Sequence, residues 1–145
     1  MSKLFEKWPT LIRWIMFIPM IIITYFITIL IGRFLLWWSI GPEDISLGNF
    51  LMYHFYNNFI CFVLSLAVSI ACAPKGKVII ASIYLGVILV SLGFSLFSVF
   101  VFGAHNNEPV WRILYDYILN TAAGIFVLIA TVKEKEMDRN NALST

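Results

Sequence analysis

Residues 14 to 32 read WIMFIPMIIITYFITILIG, nineteen positions without a charge, bracketed by Arg13 and Arg33. A helix of that length rises about 28 Å, close to the hydrocarbon thickness of a bilayer. The run is too continuous for an alternating strand and too evenly apolar for an amphipathic surface helix. It reads as a membrane-crossing helix over about 11–38, once Trp37 and Trp38 are included as the aromatic belt at its far end. Pro19 removes one backbone hydrogen bond in its first half, so local loosening is expected there. Lys3, Lys7 and Arg13 precede the run and no small-residue cleavage site follows it, so it is expected to be retained as a signal anchor.

The same pattern repeats outward along the chain. Gly41-Pro42-Glu43-Asp44 is a breaker cluster with two acids and reads as an aqueous turn. No formal charge occurs from Ile45 to Pro74, which places a second helix at about 49–72. Ala73-Pro74-Lys75-Gly76-Lys77 is a short basic connection of the kind that joins antiparallel neighbours. A third helix follows at about 78–102, with an exit loop from Gly103 to Asn107. Asn107-Glu108-Pro109 has the capping residue and proline of a helix start, and a fourth helix is expected at about 110–132. Lys133-Glu134-Lys135-Glu136 marks the end of its apolar part, and 133–145 reads as a polar tail of alternating sign that carries the helix on by a turn or two and then frays. The expectation is one all-α domain over 1–145, a bundle of four transmembrane helices.

Composition agrees with that reading and narrows it. The chain is 61% apolar and 12% charged, where a soluble domain carries about 25% charged residues. That excludes a water-facing globule, a disordered chain, a collagen-like or disulfide-stapled fold and a nucleic-acid binder. Cys61 and Cys72 lie eleven positions apart in one helix, about 16 Å of rise, which is too far to bridge. No CxxC or His partner accompanies them, so they read as small apolar residues, and neither a metal nor a cofactor is expected.

Charge sets the expected orientation. Eight of the ten Lys and Arg residues (Lys3, Lys7, Arg13, Lys75, Lys77, Lys133, Lys135 and Arg139) fall on one side of a four-crossing arrangement, and only Arg33 and Arg112 on the other. By the excess of Lys and Arg in cytoplasmic loops, both termini are expected in the cytoplasm of a bacterial-type membrane.

Polar side chains inside a bilayer are costly, which makes them the most informative positions. His54, Asn57 and Asn58 lie in the first turns of the second helix, and Arg112, Asp116 and Asn120 share one face of the fourth at i, i+4, i+8. Both sets start from the same side, so they share a depth, and contacts such as His54 with Asp116 or Asn57 with Asn120 are allowed. These groups join the second and fourth helices, or line an aqueous vestibule for a cation, a proton or a polar ligand, or, with a fourth helix that starts deeper in sequence, leave Arg112 and Asp116 as a solvated interfacial i,i+4 pair. In the third helix, Ser82, Gly86, Ser91, Gly93 and Ser95 are small residues at packing spacings, matched by Gly124 in the fourth. They suit packing within the bundle, with a homo-oligomeric contact as the alternative.

No Walker loop, GxSxG, HExxH or Cys/His metal set is present, and no acid, base and nucleophile are grouped, so no catalytic residue is assigned and an enzyme is not expected. The expectation is a small membrane protein that acts through helix association with itself or a membrane-protein partner, as an accessory, sensing or protective subunit. The alternative is an oligomeric channel lined by the polar cluster.

Overall fold

A computed structural model of the chain describes residues 5, 8–43, 46–103 and 109–143. The expected contributions of Lys3, Lys7, Asp44 and the 104–108 segment with His105, Asn107 and Glu108 lie outside the described residues. Four helices are long and apolar enough to cross a membrane: α1 (Thr10–Ile40), α2 (Leu47–Cys72), α3 (Lys77–Phe102) and α4 (Val110–Leu143). Large apolar side chains such as Ile22, Phe26, Val90 and Phe94 stand exposed around the bundle, which is the inverse of a soluble protein and the order expected against lipid.

Packing is uneven. Forty-four per cent of the apolar window of α2 is buried, against 6% for α1 and for α3, so α2 is the central rod. α1 lies along α2, α3 lies along α4, and contacts between α2 and α4 join the two hairpins. Toward the Lys75–Lys77 end, Leu66, Ile70, Ala73, Ile80, Ala81 and Val127 form an apolar core, flanked by Phe17 and Tyr84. Arg13 closes that end: Nε and Nη2 donate to the carbonyls of Cys72 and Ala73, at 3.0 and 3.1 Å, satisfying acceptors that α2 leaves open at its C-terminus. Cys61 and Cys72 are both buried free thiols.

The turns follow local chemistry. Gly41 has φ +81°, a backbone state that costs glycine nothing, and lets the chain reverse directly after α1. Ser46 caps α2 by accepting from the amide of Asn49, while Asn49 Nδ2 donates back to the carbonyls of Ile40 and Pro42. α2 therefore starts at Leu47, two residues before the expected 49.

Two features differ from expectation. α2 widens into one π-helical turn at Tyr56–Ile60, marked by the Cys61 amide donating to the Tyr56 carbonyl. α4 runs to Leu143, about three turns past Val132 and further than the turn or two expected. The charges after Val132 end the apolar segment, not the helix, because Lys, Glu, Met and Arg are good helix formers and no Gly or Pro interrupts them.

Candidate functional site

The polar side chains meet where α2 and α4 begin, at the end opposite the Lys75–Lys77 turn. His54 and Asn58 are one turn apart on α2, and both reach one oxygen of Asp116 on α4. His54 Nδ1 lies 2.6 Å from Asp116 Oδ1, and Asn58 Nδ2 donates to the same oxygen at 2.7 Å. Asn120, one turn beyond Asp116, donates from Nδ2 to Asn58 Oδ1 at 3.5 Å. In a medium that offers few other partners, each such interhelical bond stabilises the pair by about 0.6–2 kcal/mol.

The other edge of the imidazole reaches the α1–α2 turn. His54 Nε2 lies 3.0 Å from Glu43 Oε1, and Glu43 Oε2 in turn meets Arg33 Nη2 at 3.3 Å. A carboxylate only accepts, so both His54 contacts are hydrogen bonds when the ring carries both protons. In that state one side chain ties the first turn of the protein to α4. The two carboxylates sit on opposite edges of the ring instead of converging on a point, and among the described residues no three His, Cys, Asp or Glu side chains are placed to hold a metal ion.

The pairing of His54 with Asp116 is the contact that shared depth allowed. Asn57 with Asn120 is not made: Asn58 takes that role, and Asn57 is buried with Oδ1 unpartnered. Neighbouring residues on a helix point about 100° apart, so Asn57 and Asn58 cannot both face α4. Arg112 forms no ion pair with Asp116 among the described residues. Its guanidinium instead lies 4.4 Å from the Phe50 ring centroid and 5.5 Å from that of Trp111, a cation–π arrangement, and the Phe50 ring is itself 3.9 Å from the His54 ring.

Glu43 and Arg33 were not among the expected site residues. The breaker cluster identified Glu43 only as a turn acid. The one available signal was the ten-residue separation that brings a turn acid back over the end of the helix carrying Arg33. Below the cluster, Gly32 makes room on α1 for the Tyr56 ring, which a Cβ would strike, and the Tyr56 hydroxyl donates to the Thr28 carbonyl at 3.0 Å.

The small residues divide. Gly124 packs inside: an added Cβ would lie 2.8 Å from Ile88 Cδ1 and 3.1 Å from Leu85 Cδ1. Ser82, Gly86, Ser91 and Gly93 face away from the rest of the bundle, Ser95 is half-buried, and nothing stands within 4 Å of a Cβ placed at Gly86 or Gly93. The expected packing of Gly86 and Gly93 within the bundle is therefore not made, because α3 turns its other side, with Ala81, Tyr84, Leu85 and Ile88, toward α2 and α4.

Fold and site together define an all-helical protein with four helices suited to crossing a membrane and a hydrogen-bonded polar layer between two of them. No protein-family model matches the chain, and neither a curated protein nor a solved structure matches it.

Proposed function

We propose that this chain is an integral protein of a bacterial-type cytoplasmic membrane that works by helix association, as an accessory, sensing or protective subunit. Both termini lie in the cytoplasm in this reading, since Arg13, Lys75, Lys77 and Lys133 gather at one end of the bundle. One observation carries the association. The polar groups best suited to bind something are largely bonded to one another, whereas Gly86 and Gly93, seven residues apart on α3, are open to a neighbour. Such a seam lets two backbones approach closely in lipid, where burial of apolar surface no longer drives contact.

Disulfide trapping in native membranes tests this, with Gly86→Cys set against Ile22→Cys on the exposed side of α1. Efficient dimer formation through position 86 alone is expected, and Gly93→Leu should abolish it. Equal or absent trapping at both positions would refute the reading.

A second reading is an oligomeric ion or small-solute pathway lined by His54 and Asp116. It is favoured by Asn57 Oδ1, Arg112 Nε and Thr121 Oγ1, which are buried without hydrogen-bond partners in the same turns as the cluster. Selective flux through liposomes that is lost in Asp116→Asn would support it. No flux from a folded protein would rule it out.

A further inference from the structure

At the opposite end of the molecule a groove opens between α2 and α4. Its apolar part, about 390 Å³, is walled by Val63, Ala67 and Ala71 on α2 and by Phe126, Val127 and Ala130 on α4. It adjoins a second hollow of about 320 Å³ bordered by the α2–α3 turn and the polar part of α4. Lys77, Thr131 and Glu134 belong to both, so the two form one channel with an apolar floor and a charged mouth.

Length, position and charge each restrict what fits. From Val63 to the end of α2 at Cys72 the helix rises about 14 Å, close to the depth of one leaflet of a hydrocarbon core about 30 Å thick. Lys75 and Lys77 border the mouth from the turn and Lys135 from α4, and among the described residues none of the three ammonium groups has an ion pair or hydrogen bond. Glu134 and Asp138 stand at the same mouth, leaving a local excess of one positive charge and two acceptors for a headgroup hydroxyl. An apolar slot about one leaflet deep, with three lysines at its mouth, matches an acyl chain below a phosphate.

We infer that this groove is a binding site for one anionic, hydroxyl-bearing phospholipid of the leaflet on the basic side, with an acyl chain between α2 and α4 and its phosphate held by Lys75, Lys77 and Lys135. The inference uses the four-crossing arrangement but neither activity proposed above.

Native mass spectrometry of the full chain, released from micelles doped with equal phosphatidylglycerol, phosphatidylethanolamine and phosphatidylcholine, tests it. One retained phosphatidylglycerol is expected. Lys77→Gln and Lys135→Gln should each weaken retention about fivefold, while Lys133→Gln, outside the groove, should leave it unchanged. Ala67→Leu should displace the chain by filling the slot, and circular dichroism checks that each variant is folded. Equal retention of the three lipids, retention indifferent to the two groove lysines, or displacement by inorganic phosphate would overturn the proposal. So would efficient trapping of an Ala67→Cys dimer, which would mean that a second copy occupies the groove.

Discussion

The two ends of this bundle are closed by opposite means. At the basic end Arg13 reaches backbone carbonyls at the terminus of α2, beside an apolar core, and its only charge is a permanent one. At the other end a histidine, two carboxylates and two asparagines meet across three elements. The first closure depends on backbone groups that no side-chain substitution removes. The second depends on several side chains at once. The molecule thus joins a clamp onto backbone groups to a clamp between side chains, with α2 passing through both.

That contrast can be broken most severely between the ends, at Gly32. A leucine there must displace the Tyr56 ring and push α1 off α2, and Gly32→Leu is expected to cost about 3 kcal/mol in a detergent unfolding titration. Arg13→Ala leaves two carbonyls without charged donors and should cost about 2 kcal/mol by the same measurement, at any pH where the fold persists.

Asp116→Ala removes the acceptor shared by His54 and Asn58 and should cost about 1.5 kcal/mol. A double-mutant cycle with His54→Ala should return a coupling of about 1 kcal/mol. A coupling near zero would remove the side-chain clamp. The smallest effect is expected at Gly86→Ala, which adds a methyl to open space in a helix and should stabilise the monomer by about 0.5 kcal/mol.

The four long apolar helices were legible because uncharged runs such as 14–32 and 78–107 admit few other readings, and the shared level of His54 and Asp116 follows from counting residues inward from the same end. Glu43 was not legible as a partner, since the place of a turn acid depends on how α1 and α2 cross. The π-helical turn was hidden as well: it begins at Tyr56, whose seat on Gly32 is a contact between residues 24 positions apart. Spacing alone also left the direction of α3 undecided. Gly86 and Gly93 permit close approach by any helix, and the bulk of Tyr84, Leu85 and Ile88 on the other side selects which side meets α4.

The uninterrupted course of α4 has a mechanical consequence. Residues 132 to 143 prolong the rod about 16 Å past its apolar part without a hinge. Any rolling of α4 is carried as the same angle of rotation from Asp116 to Glu134 and Asp138, so a turn of the polar cluster at one end of the bundle swings the acids that border the lysines at the other.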